Sequence, residues 1–330
     1  MNQNIKFKEK IIICTDFDKD LRLYDLPKDI RLKINKSKNL KIINFSFNNP
    51  LCKKSTIYWG NLIDDERIKF LENLRWIHLG CVGHDKIKNL KLLSSIKLTN
   101  SSKIMSDSVS ESIISFIFIF LRRFDRCVSL RKNKKLNREN FDKFFDQIKV
   151  IKECKFLIFG GGDISKNLVS KLKHFSDNIT LVSSKPFLSK SVRNYLFRNF
   201  KKESLNYDFV ISILPDKIKY HNFFDYKFFN SMNKNSYFIN VGRGSVVNEL
   251  DLISCLSKKK IGGAALDVFK DEPLNSKNPL LKFSNCLVTP HISGLFNNYW
   301  QKQDELFFYN LKSFLHGKKL KNQVNLKLSK

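Results

Sequence analysis

The feature that most constrains this chain is where it keeps its glycines. Twelve occur in 330 residues, about half of what an average usage of about 7% supplies. Ten of them fall in five places: Gly80/Gly83, Gly160/Gly161/Gly162, Gly242/Gly244, Gly262/Gly263 and Gly294. Where glycine is this scarce, the survivors mark turns and close backbone approaches that a side chain would block. The second place is the most telling. A short apolar run, Phe156-Leu-Ile-Phe159, empties into Gly160-Gly-Gly-Asp-Ile-Ser165 and then into a helical pattern. Strand, G-x-G-x-x-S and helix in succession form a pyrophosphate turn. Gly160 makes the bend, Gly162 lets the backbone approach the phosphates, and the amides of Asp163 and Ile164 open the helix that faces them. Ser165 stands where a third Gly or Ala is usual.

Short β-like runs and helical patterns alternate on both sides of this turn. Before it come strand-like segments at 10–14, 41–45, 55–59, 76–79 and 96–98, with helical patterns at 65–71 and 86–92. A mostly buried helix is expected over 106–126, then a polar surface connection over 131–153 with one amphipathic turn. After it come strands at 155–159, 179–183, 209–214, 237–241, 264–268 and 287–289, with helices at 163–175 and 304–315. Such alternation predicts an α/β fold with parallel sheets. No repeat or Pro/Ser-rich linker divides the chain.

Composition narrows the class further. Hydrophobic residues make up 42%, enough for a sizeable core. The apolar run 113–121 is too short for a bilayer-spanning helix, and 11–14 is too short for a signal-peptide core. The seven cysteines are dispersed, with no C-x-x-C pair, which points to reduced thiols in a cytoplasm rather than a disulfide framework or a metal site. The net charge of +29 invites a nucleic-acid reading. Lys, Asn, Ile and Phe are raised together, however, and the lysines are spread along the chain. That is compositional drift, and its remaining effect is to attract anionic small molecules.

The β-like run at 179–182 ends in Ser183-Ser184-Lys185, with no carboxylate where an NAD-binding turn places one for the ribose 2′-hydroxyl. The stretch 185–202 contains six Lys/Arg and no acid. Hydroxyls and cations suit a 2′-phosphate, which tilts the cofactor from NAD toward NADP. Three later segments carry ionisable groups just after strands: Asn240-Val-Gly-Arg-Gly244, Leu266-Asp-Val-Phe-Lys-Asp-Glu-Pro-Leu274 and Thr289-Pro-His-Ile-Ser-Gly294. They bring Arg243, Glu272 and His291 to strand ends, where α/β active sites form.

These three segments, in this order and spacing, resemble the D-isomer-specific 2-hydroxyacid dehydrogenase family, which includes glyoxylate/hydroxypyruvate reductases and phosphoglycerate dehydrogenases. The resemblance spans about 74–323 and is densest over 237–294. It implies a Rossmann doubly wound domain, 102–294, and a flavodoxin-like substrate domain, 1–101 with 295–330, with catalysis between them. It also implies a homodimer and no appended regulatory domain.

By the same resemblance His291 is the acid/base, Glu272 orients it and favours its protonated form, and Arg243 binds the 2-keto-acid carboxylate. The amides of Val82 and Gly83 hold that carboxylate, and Asp267 accepts from the nicotinamide carboxamide. Leu214, Pro215, Val241, Gly242 and Ser293 line the cofactor. Departures from the family are Ser165, Lys103 for a usual glycine, Met105 for a frequent histidine, His84, and Asp216-Lys-Ile-Lys219 for a hydroxyl-containing turn. Trp300 is expected to be an interdomain core aromatic rather than a cap on the substrate pocket. Reduction of a small 2-keto acid to the D-2-hydroxy acid is the favoured activity. A phosphoglycerate dehydrogenase and a non-enzymatic, cofactor-sensing corepressor scaffold are the alternatives.

Overall fold

The computed structural model describes residues 10–18, 25–87, 90–186, 192–201 and 205–324. Of the basic stretch 185–202, residues 187–191 and 202 lie outside the described residues, as do 88–89 of the helical pattern at 86–92. The chain divides into two compact units, Met1–Ile104 with Leu295–Lys330, and Met105–Gly294.

In the first unit, β1 (Ile11–Asp16), β2 (Leu40–Asn44), β3 (Ile57–Gly60), β4 (Trp76–Leu79) and β5 (Lys97–Thr99) form one parallel sheet in the order β2-β1-β3-β4-β5. This is the flavodoxin-like order. Alternation along the strands builds both faces. Ile11, Ile13, Ile57, Trp59 and Trp76 point to one core, with Phe307, Leu311 and Phe314 of helix Tyr299–Leu315. Cys14, Tyr58, Ile77 and Leu79 point to the other. Phe307 lies flat on Trp59, ring centroids 3.7 Å apart. Trp300 packs edge-on against Phe17 and Trp59, so it is a core aromatic of this unit.

The second unit is a seven-stranded parallel sheet. Its strands are β6 (Phe156–Phe159), β7 (Ile179–Ser183), β8 (Arg193–Leu196), β9 (Phe209–Ser212), β10 (Tyr237–Asn240), β11 (Gly263–Leu266) and β12 (Cys286–Val288). Their order is β12-β11-β10-β9-β6-β7-β8, the doubly wound Rossmann arrangement with one further strand. The order reverses between β6 and β9, which is the switch point where such sheets bind ligands. β6, β9, β10 and β11 are buried throughout, as strands covered on both faces must be.

Two expectations are corrected. The helix expected over 106–126 ends at Leu121, and a second helix runs Phe124–Lys132. Arg123 turns the chain between them in a left-handed conformation, φ 55°. Its side chain is 1% exposed and donates to the Tyr237 hydroxyl, with Asp125 at 3.3 Å. The arginine is therefore part of a buried cluster. β8 was unforeseen, because its edge position leaves the pattern half exposed. Among the described residues no helix is long and apolar enough to cross a membrane.

Candidate active site

The sequence-predicted trio lies on loops that leave β10, β11 and β12 at one end of the second sheet. His291 Nδ1 is 2.7 Å from Glu272 Oε2. The other Glu272 oxygen accepts from the Phe269 amide at 2.9 Å. Burial alone would raise the Glu272 carboxyl. The His291 hydrogen bond, the Phe269 amide and the nearby charges of His291 and Arg243 outweigh it and hold the carboxyl below its ordinary value.

Asp267, 1% exposed, pins the histidine loop. Its Oδ1 accepts from the Thr289 hydroxyl at 2.6 Å and the Ile292 amide at 2.9 Å, and its Oδ2 accepts from the Ser293 amide at 3.0 Å. A carboxylate offers about four acceptor positions, so one remains on Oδ2. The Ser293 carbonyl in turn accepts from the Ser108 hydroxyl at 2.7 Å.

Arg243 leaves β10 in an extended conformation and donates from Nη1 to the Gly242 carbonyl at 2.8 Å. Asn240, fully buried, braces the same turn. Its Nδ2 donates to the Arg243 carbonyl at 2.9 Å, and its Oδ1 accepts from the Gly242 amide at 3.2 Å. A Cβ at Gly244 would lie 1.9 Å from the Phe269 carbonyl carbon, so only glycine lets the arginine turn touch the glutamate loop. Beside it, Asp216 Oδ1 accepts from the Ser245 hydroxyl at 2.7 Å and faces His221 Nε2 at 2.6 Å. Sequence reasoning noted Asp216 only as a departure from the family turn. Its tie to Ser245 joins the β9 and β10 exit loops.

The glycine turn fits a dinucleotide. Gly160 has φ +122°, and a Cβ there would meet the Ile213 carbonyl oxygen at 2.9 Å. A Cβ at Gly162 would meet nothing within 4 Å, so the backbone is bare on that side. Helix Asp163–Leu172 starts there with no side-chain cap, which leaves its first amides for an anion. Ser165 is fully buried, and its hydroxyl has no hydrogen-bond partner among the described residues.

The end of β7 lies against this turn, since a Cβ at Gly161 would meet Ser183 Cβ at 2.8 Å. The Ser183 hydroxyl, expected to face a 2′-phosphate, is engaged inside. It donates to the Lys185 carbonyl at 2.6 Å and accepts from Asn194 at 3.1 Å. Ser184 pairs with the Tyr220 hydroxyl at 2.7 Å, and Lys185 is exposed. Leu214, Val241 and Gly242 are buried at the β9 and β10 exits, with Pro215 exposed beside them. Val82 and Gly83 lie in the first unit, after β4.

Comparison with known proteins agrees with this architecture. Residues 114–293, more than half of the chain, match the family described as D-isomer specific 2-hydroxyacid dehydrogenase, NAD binding domain. A probable 2-ketogluconate reductase of Dictyostelium discoideum is 29% identical over 265 residues, 79% of this chain and 78% of that one. Glyoxylate/hydroxypyruvate reductase B of Escherichia coli O1:K1 / APEC is 41% identical over 118 residues, which span 36% of either chain. Among solved structures, an NADPH-dependent glyoxylate/hydroxypyruvate reductase from Sinorhizobium meliloti, in complex with NADP and sulfate, superimposes with a TM-score of 0.79 at 18% identity, covering 97% of this chain and 99% of that one. The chain belongs to the D-isomer specific 2-hydroxyacid dehydrogenase family, and with it to the NAD(P)-dependent oxidoreductases.

Proposed function

We propose that this protein reduces a small 2-keto acid of the glyoxylate or hydroxypyruvate kind to the D-2-hydroxy acid, with NADPH preferred to NADH. The observation that carries the reading is the His291–Glu272 pair at 2.7 Å, on a loop held by three bonds to Asp267. The names of the relatives, a 2-ketogluconate reductase and glyoxylate/hydroxypyruvate reductases, support the substrate class.

Bound nicotinamide supplies the hydride. As the carbonyl carbon accepts it, the oxygen gains negative charge and needs a proton and a nearby cation. With Nδ1 engaged by Glu272, His291 exchanges the proton at Nε2. Arg243 pairs with the substrate carboxylate through its planar donor fork and polarises the carbonyl. The amides of Val82 and Gly83 hold the same carboxylate. Gly160, Gly162, Asp163 and Ile164 cradle the pyrophosphate. Asp267 receives the nicotinamide carboxamide at its remaining acceptor position, and Leu214, Pro215, Val241, Gly242 and Ser293 wall the ring and ribose.

Lys185, with Ser183 and Ser184 shaping the turn before it, meets the 2′-phosphate. A homodimer and a reducing, cytoplasmic setting belong to the same reading. All seven cysteines are free thiols.

The test is direct. Purified protein with NADPH is offered glyoxylate, hydroxypyruvate, 2-ketogluconate and phosphohydroxypyruvate. Substrate-dependent loss of NADPH is expected with glyoxylate or hydroxypyruvate. His291→Ala lowers kcat by about 10²–10⁴-fold and leaves NADPH binding intact. No turnover with any of the four acids removes the reading, and turnover of phosphohydroxypyruvate alone replaces it with a phosphoglycerate dehydrogenase.

A further inference from the structure

The loop after β4 has an unusual hydrogen-bond balance. Four consecutive carbonyls are all tied down within the first unit. The Gly80 carbonyl accepts from the Tyr299 hydroxyl at 2.6 Å and from Gln303 Nε2 at 2.9 Å. The Cys81 carbonyl accepts from the Ser101 amide at 3.0 Å, and the Val82 carbonyl from Asn100 Nδ2 at 2.8 Å. The Gly83 carbonyl accepts from the Cys81 thiol at 3.3 Å. The amides of Val82 and Gly83, by contrast, donate to nothing among the described residues. Acceptors are engaged and donors are left over, which is the polarity an anion requires.

The double anchor at Gly80 comes from one helix face. Tyr299 and Gln303 are four residues apart on helix Tyr299–Leu315, so their side chains share a face, and both are fully buried. The orientation of the Gln303 amide is forced. Ser101 donates its hydroxyl hydrogen to the Leu79 carbonyl at 2.7 Å, so it can only accept from Gln303, at 2.7 Å. The Gly80 carbonyl can only accept as well, so both contacts need the NH2 end.

His78 is fully buried, and burial pushes its pKa down to about 3, so the ring is neutral. There is no slack at the anchor, since a Cβ at Gly80 would meet Phe17 Cε1 at 2.6 Å and the Tyr299 hydroxyl at 2.9 Å.

We propose that Tyr299 and Gln303 are positioning residues for the substrate. Through the Gly80 carbonyl they set where the Val82 and Gly83 amides stand, and so how tightly the 2-keto-acid carboxylate is held. The proposal rests on the reading of this loop as the carboxylate site.

Tyr299→Phe removes one oxygen and leaves the ring packing. Gln303→Leu removes both donor contacts at similar size. Each is expected to raise KM for hydroxypyruvate about three- to tenfold, the worth of one hydrogen bond, with kcat changed less than about twofold and NADPH binding unchanged. Hydrogen exchange at 80–87 speeds up in both variants, and exchange at 163–172 does not. Oxamate, a non-reducible 2-keto-acid analogue, protects 80–87 in the wild type and is needed at higher concentration in the variants.

Unchanged exchange at 80–87, or faster exchange with unchanged KM and oxamate protection, overturns the proposal. So does a wild type whose loop oxamate does not protect. A wild type that is protected by oxamate yet reduces no keto acid defeats the functional reading and leaves the positioning role standing. If Gln303→Leu does not fold, Tyr299→Phe decides alone.

Discussion

His291 has φ +54°, a left-handed conformation that costs a non-glycine residue about 1 kcal/mol or more. The cost is offset by what the conformation achieves. Its amide points at the carbonyls of Asp267 and Thr289, at 2.9 and 3.0 Å, and its ring points at Glu272. The trio was legible in sequence, because residue type and spacing after each strand carry it. The pinning role of Asp267 was not. It depends on donors 22 to 26 residues away, and their register against β11 leaves no local pattern.

The Glu272 carboxyl has a measurable consequence at this scale. Its pKa is lowered in the folded protein, so its pairing stabilises the fold fully above the ordinary glutamate range of about 4.3. That contribution is lost as pH falls through the depressed folded value. Thermal melts of wild type and Glu272→Gln should therefore differ at neutral pH and converge below about pH 4. A gap that stays constant to the lowest pH at which the protein folds would show that Glu272 has no such pairing.

At the scale of elements, every strand but β8 was readable from apolar runs bounded by turn residues, and the doubly wound Rossmann domain was what the family resemblance implied. A helix break and a strand were not readable. The break at Arg123 is made by Tyr237, 114 residues further on, so a tertiary contact overrides a sequence that reads as one helix. β8 lacks the buried pattern of its neighbours, because a strand at a sheet edge has only one covered side. The contact between the arginine turn and the glutamate loop also belongs to this scale. Gly244→Ala puts a carbon 1.9 Å from Phe269, and the two loops must separate. The variant should lose about 1–3 kcal/mol in denaturant unfolding, and its kcat/KM should fall more than that of an alanine placed at exposed Lys259. Equal behaviour of the two variants would mean that the loops move independently.

At the scale of the whole molecule, the net charge of +29 is a background against which apolar exposure stands out. Phe124, Val128 and Phe145 are 55%, 60% and 73% exposed. They lie along 122–150, whose groove of ≈ 790 Å³ is lined by Leu136, Phe141, Phe145 and Ile148. Apolar surface gathered on one segment supports the proposed homodimer through this face. Sedimentation should give twice the chain mass, and Val128→Asp with Phe145→Asp should halve it while the melting temperature of the isolated chain is retained. A wild type that sediments as a single chain at micromolar concentration rules the dimer out.

Gly294 and Met105, the last and first residues of the second unit, touch, since a Cβ at Gly294 would meet the Met105 sulfur at 3.1 Å. The chain therefore enters and leaves the dinucleotide-binding unit at neighbouring points. A module with adjoining ends can be cut out as a single cassette, or joined end to end and reopened elsewhere, without rerouting a strand. Adjoining ends also let such a cassette be exchanged between relatives, with Arg243, Glu272 and His291 travelling alongside the glycine turn.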